Sequence, residues 1–257
     1  MKFVLIFLIL TLAENLFAQQ KILAPKRSSL QLSYGFNQVN EENLHPKVHS
    51  GTITTLSYVR CFKSRNISEL EISLSYSRVR TSYEDWSKTV NGQLAADYKY
   101  MFTALSKNKM QYSVGPEINV CYNLNFYPNW DESHLYWANQ FSIGAGNRLM
   151  YTISESQSLV LDLGFSLFSV FSRPIFDRQY KIDDTSFCGI VKSLHSNPES
   201  GSFGKSFRLS GNTEYRFHLN RKVSKAFCYY CDYAKVDGEN SSLFQNNCNK
   251  LGFKIYF

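Results

Sequence analysis

The sequence predicts an all-β fold, an antiparallel up-and-down transmembrane β-barrel of about ten strands, from three observations. The chain ends Leu251-Gly-Phe-Lys-Ile-Tyr-Phe257, which puts Leu251, Phe253, Ile255 and Phe257 on one face of a period-2 strand. Gly252, Lys254 and Tyr256 fall on the other, as a lipid-facing wall around a polar lumen requires. Segments with the same alternation recur from residue 29 onward. Several outrun the roughly five to six residues of an average soluble strand and reach the roughly 9 to 11 that a membrane strand needs. The connections between them alternate short and long, as periplasmic turns alternate with longer outside loops.

Met1 to Ala18 reads as a signal peptide: Lys2 supplies the positive region, Phe3 to Leu12 the apolar run, and Leu16-Phe17-Ala18 the cleavage site before Gln19. The apolar run is shorter than the roughly 20 residues of a membrane helix. Residues 19–257 then form the barrel as a single domain, since no linker or break in composition divides them.

The first strand covers Ser29 to Phe36, with Leu30, Leu32, Tyr34 and Phe36 on one face, and the second runs from about Thr52 to Phe62. After a Lys63 to Asn66 turn, Ile67 to Arg78 sets Leu70, Ile72, Leu74 and Tyr76 against Glu69, Glu71 and three serines. Leu94 to Ala104 points Tyr98, Tyr100 and Phe102 outward and Asp97 and Lys99 inward. A Ser106 to Lys109 turn leads into the longest clean alternation, Met110 to Phe126, whose inner face carries Glu117, Asn119, Cys121, Asn123 and Asn125. Leu135 to Ile153 follows, with Gln140, Ser142 and Arg148 inward, then Ser158 to Phe171 with Leu159, Leu161, Leu163, Phe165 and Leu167 toward lipid. The polar stretch 172–205 is the longest expected outside loop, beside shorter ones at 37–51, 81–91 and 126–134. Ser206 to Leu219, a strand near Val223 to Lys235 and the terminal strand complete the set. No helical periodicity is evident after the leader. An even number of strands returns both termini to the periplasmic side of a bacterial outer membrane, and the last strand should close against the first near Leu30. A secreted β-sandwich or jelly roll is the competing fold.

Composition agrees with the barrel. The mean hydropathy of −0.29 is that of a soluble protein, but half of every membrane strand faces a polar interior. Aromatic residues make up 16%, with 17 Tyr and 20 Phe, enough for girdles at both interfaces. The net charge of +7 is spread along the chain without clusters, which argues against nucleic acid and fits contact with outer-membrane lipid and lipopolysaccharide. Six cysteines in an exported chain permit disulfides. Cys231 to Cys248 across the final hairpin is the favoured pair and Cys121 to Cys188 a second. The spacing Cys228-Tyr-Tyr-Cys231 imitates a metal or redox motif, but residues three apart on a strand face opposite ways.

About ten strands give a lumen near the side-chain-filled limit and far from an aqueous porin. The inward charges Glu69, Glu71, Asp97, Lys99, Glu117, Arg148, Asp162, Arg208, Glu214, Arg216 and Lys254 have both signs. They should form a salt-bridged filling or, less simply, a narrow conduit. His195-Ser196-Asn197 in the long loop loosely resembles the His-x-Ser-Asn motif of lipid A deacylases but lacks the spacer residue. Omptin proteases are similar in strand number only. His218, near Ser210 and Glu214, is a second candidate acid-base group and more simply a lumen hydrogen-bond partner. No catalytic, cofactor-binding or metal residue can be assigned, and no cofactor is expected.

The leader ending Phe-Ala-Gln-Gln, the Tyr- and Asn-rich strands and the aromatic last residue resemble the small outer-membrane barrels of Bacteroidetes, the PorT-like group. That resemblance covers the chain after its leader in pattern. It implies an outer-membrane location and, with the filled lumen, favours a structural or accessory subunit of a surface or export complex. Its partners would be other outer-membrane or periplasmic proteins. The alternatives are a narrow solute channel and an outer-membrane hydrolase.

Overall fold

Ten long strands hydrogen-bond in one closed antiparallel ring. The computed structural model describes residues 28–42, 45–63, 66–81, 88–128, 135–174, 186–218, 224–239 and 243–257, so the expected leader lies outside the described residues. The long strands are β1 (Ser28–Glu41), β2 (His45–Lys63), β3 (Ile67–Arg80), β4 (Thr89–Lys107), β5 (Met110–Phe126), β6 (Leu135–Ser154), β7 (Gln157–Ser172), β9 (Ser206–His218), β10 (Ser224–Val236) and β11 (Phe244–Tyr256). Between β7 and β9 lie a helix, α1 (Phe187–Leu194), and a short strand, β8 (Pro198–Gly201). Each long strand pairs with its neighbours in chain order, and β1 closes on β11, with Leu30 opposite Ile255. The ring leaves no free edge, which excludes the sandwich reading.

The β2–β3, β4–β5, β6–β7 and β9–β10 connections are short and share one end with Ser28 and Phe257. Those two residues exchange backbone hydrogen bonds of 3.2 and 2.9 Å. The β4–β5 turn is Asn108-Lys109, and Asn108 takes the left-handed conformation (φ 52°) that asparagine tolerates in tight turns. The outer ends of the strands, opposite the termini, carry the longer connections, apart from that between β1 and β2, where only residues 42–44 intervene.

Several expectations change. The loop expected at 37–51 is mostly strand, because β1 continues to Glu41 and β2 begins at His45. The terminal strand starts at Phe244 rather than near Leu251. The expected 172–205 loop contains α1 and β8, although no helical period is evident there. Ser186 caps α1, its hydroxyl accepting from the Gly189 N–H at 3.1 Å. No disulfide forms: all six cysteines are free thiols. Cys231 and Cys248 cannot bridge, since Cys231 points outward from β10 while Cys248, opposite Asp232, is fully buried in the lumen. Cys121 likewise faces the lumen, and Cys188 lies exposed on α1. Cys228 and Cys231 take opposite faces, as strand geometry requires.

Candidate functional site: a filled lumen and an outer rim

Outward residues divide the barrel into two zones. Over most of the wall they are exposed and apolar, including Leu32, Tyr34, Leu74, Leu94, Ile118, Leu163, Phe227 and Leu251. On β5 the outward apolar residues run from Met110 to Phe126, and the aromatic rings of Tyr112 and Tyr122 stand ten residues apart within that run. Ten residues at about 3.3 Å each, tilted about 40°, rise roughly 25 Å, the height of an outer-membrane apolar band. Two pairs of outward polar groups are bonded along the wall: Tyr112 Oη donates to Asn147 at 2.6 Å and Tyr229 Oη to Asn249 at 2.8 Å.

Toward the outer end the alternation inverts. Gln38, Asn40, Arg78, Arg80, Lys235, Gln245 and Asn247 now point out, while Val39, Val79, Val236 and Phe244 point in. Those four pack with Ala138 and Phe171 into a buried cluster across the mouth. Polar outside and apolar inside is the pattern of a sheet surrounded by water, so the barrel has left the apolar zone by this height. Beside the cluster Arg173 forms a fully buried ion pair with Glu41, and its guanidinium lies 5.6 Å from the Phe244 ring centre. Tyr127 and Tyr136 stack edge to face at 6.0 Å, and His49 meets Tyr127 in the same way.

Below this cap the lumen is polar and interlocked. An asparagine layer joins Asn37, Asn91, Asn123 and Asn125, with Asn91 Nδ2 donating at 2.6 and 2.8 Å to the last two. Arg208 then links Asp97 (2.9 Å) and Asp232 (3.0 Å). Arg148 reaches from β6 to Glu69 on β3 at 3.0 Å and to Asp162 on β7 at 2.5 Å. Near the termini Glu214 is a hub, accepting from Lys254 at 2.7 Å, Arg216 at 2.7 Å, Asn212 at 2.9 Å and the Tyr256 hydroxyl. A chamber of about 70 Å³ survives mid-lumen, with Glu71, Lys99 and Lys250 among its lining residues, room for a few waters and no wide passage.

All eleven charges read as inward from the sequence face the lumen, and most enter these ion pairs. Asp232, Lys250, Glu41 and Arg173 escaped that reading. The phase of β10 is obscured by Tyr229 and Tyr230, Lys250 lies just before the expected start of the terminal strand, and the other two lie where 37–51 and 172–205 pass for loop.

The hydrolase candidates are not assembled. His195 Nδ1 meets the Val191 carbonyl at 2.8 Å and Nε2 the Tyr122 hydroxyl at 2.9 Å. Ser196 Oγ donates to Ser193 O at 2.7 Å. These contacts terminate α1 and dock it on the wall, so histidine and serine are not paired with each other. The side chain of His218 lies outside the described residues.

Helix α1 packs against the outer face of the wall rather than entering the lumen, and β8 extends the wall itself. Asn139, an outward residue of β6, donates to the Leu194 carbonyl at 2.7 Å, and Ser172 donates to Ser196 O at 2.6 Å. Trp137, which would otherwise point to solvent, is fully buried. β8 pairs with the last four residues of β7, beyond the reach of β9.

No family model matches the chain. No curated protein matches it either. Among solved structures it is similar in outline to the outer membrane protease OmpT from Escherichia coli, at 9% identity and TM-score 0.43, over 92% of this chain and 99% of that one. It is also similar to the translocator domain of autotransporter NalP from Neisseria meningitidis, at 9% identity and TM-score 0.40, over 90% of this chain and 89% of that one. A third is Neisserial surface protein A, at 9% identity and TM-score 0.37, over 90% and 97%. These are likenesses of fold outline alone.

Proposed function

We propose that this chain is an integral bacterial outer-membrane protein, with its termini and short turns in the periplasm. In this reading its lumen is a closed structural core, and it serves as a structural or accessory subunit of a surface or export assembly. One observation carries the reading: an apolar belt at least about 25 Å high gives way to inverted alternation at the outer end, over a lumen filled by ion pairs and capped by the Val39, Phe171 and Phe244 cluster. The belt would be surrounded by outer-membrane lipid and lipopolysaccharide. Partner proteins of the outer membrane or periplasm would meet the outer connections or the short turns. The PorT-like resemblance of the sequence points the same way and adds a Gram-negative, Bacteroidetes setting.

A narrow channel would have to pass both the apolar cap and the Glu214 hub, and a hydrolase would need a pairing that His195 and Ser196 do not make. Cell fractionation with and without heating before gel electrophoresis tests the location: the protein should enter the membrane fraction and migrate faster unheated. Planar-bilayer recording tests the lumen, where no step above leak is expected and discrete conductance would refute the closed core. Co-purification after mild detergent extraction tests the accessory role, and a protein recovered alone from native membrane would count against it.

A further inference from the structure

Helix α1 carries an apolar stripe that no part of the lumen needs. Phe187 is 82% exposed and Val191, one turn on, 39%, so both lie on one face of the helix, with Lys192 exposed alongside. The opposite side seats buried Gly189 toward the protein. A lone exposed apolar helix face does not by itself say what covers it, but here the docking contacts do. The stripe leads to His195, whose Nε2 meets the Tyr122 hydroxyl at 2.9 Å with the two rings 5.6 Å apart. Tyr122 belongs to the outward apolar run of β5, which continues through Leu124 to the exposed Phe126, and Asn139, which holds the Leu194 carbonyl, directly follows the exposed Phe141 on β6 in outward order. The C-terminus of α1 is therefore fastened to the upper part of the outward apolar wall, from the outside of the barrel, and the stripe lies beside that wall.

We infer that α1 is an interfacial helix that inserts Phe187 and Val191 into the outer leaflet of the membrane, with Lys192 reaching its anionic headgroups. This inference rests on the membrane-barrel reading and adds a lipid contact made by a connecting segment. A short helix with one apolar face and a basic residue at its border suits burial of about 5–10 Å at the headgroup boundary. Its contact with the wall fixes it there without the ordering cost of a free peptide.

The test uses the full chain with Phe187→Trp, reconstituted in vesicles of phosphatidylcholine and phosphatidylglycerol, with unbrominated or brominated acyl chains. Parallel measurements on the unsubstituted protein remove the signal of Trp86, Trp130 and Trp137. The added emission should be blue-shifted and fall about twofold with bromines at shallow acyl positions, less with deep ones. Heat-modifiable migration is read on the same vesicles. A heat-modifiable sample whose introduced tryptophan ignores bromine and is quenched by aqueous acrylamide overturns the interfacial helix and leaves the barrel standing. A sample that never becomes heat-modifiable or membrane-bound overturns the membrane reading and this inference with it. If Phe187→Trp disturbs folding, Val191→Trp gives the same readout one turn along.

Discussion

Replacing Arg148 by methionine should be among the most damaging single changes in the lumen. Its guanidinium makes four hydrogen bonds, two to Asp162 at 2.5 and 3.1 Å and two to Glu69 at 3.0 and 3.1 Å. The three side chains are only 7–11% exposed. Methionine keeps much of the volume and strands two carboxylates, and removing one member of a buried ion group costs roughly 3–5 kcal/mol. At about 1.4 kcal/mol per tenfold, that is some two to three and a half powers of ten in the folding constant. Urea unfolding in lipid vesicles, followed by tryptophan fluorescence, measures the loss. Neutralising the whole group in the triple variant Glu69→Gln, Arg148→Met, Asp162→Asn should recover more than half of it, because the cost lies in the unpaired charges. A single variant that loses less than about 1 kcal/mol, or a triple variant worse than the single, would refute the view of the lumen as an interlocked ionic core.

The remaining expectations concern the seam, the rim and the thiols. Gly35→Ala should cost about 1–3 kcal/mol by the same unfolding assay, since a Cβ there would sit 1.9 Å from the Asn249 carbonyl oxygen across the closing β1–β11 seam; an unchanged midpoint would show that the strands separate freely. At the exposed outer rim the hydrogen bond from Lys205 holds the Glu239 carboxyl below its ordinary value of 4.5, and the same bond raises Lys205. A carboxyl depressed in the folded state stabilises above its unfolded value and loses that contribution as the pH falls through the folded one. Lys205→Met should therefore move the Glu239 titration upward by carbon-detected NMR, and an unmoved curve would exclude the pair. Non-reducing and reducing gels should show identical migration, and a membrane-impermeant maleimide should label Cys188 on intact cells but spare Cys121 and Cys248; labelling only after cell lysis would reverse the proposed orientation.

The ring was legible in the sequence where lipid and lumen impose opposite chemistries on alternate residues. Met110 to Phe126 has the same bounds in sequence and structure because that contrast persists along it. It became illegible where the barrel rises into water. From Gln38 to Asn40 on β1 and from Phe244 to Asn247 on β11 the apolar residues change sides, so a reading that expects apolar-out meets what looks like loop. Bulges blur the phase further. On β7 the extra residue at Leu167 shifts Phe171 from the expected outward series into the cap. The lumen charges could be enumerated from inward positions, but their partners could not, because Glu69 and Arg148 meet across 79 residues and Asp97 and Arg208 across 111. Such pairings depend on how the wall curves, which alternation does not encode. Helix α1 has eight residues, too few for a 3.6-residue period to stand out.

The closing contact between the first and last strands, thirteen residue pairs from Ser29 to Glu41, decides more than shape. Ties such as Tyr230 to Gln31, at 2.5 Å, and Lys250 to Thr55, at 3.3 Å, join the end of the chain to its beginning. They form only once the circle is complete, yet the circle without them would enclose bare ions. Wall and filling are each other's precondition. The protein therefore has no stable half, and amide exchange should find the ten strands guarded by a single opening event rather than hairpin by hairpin.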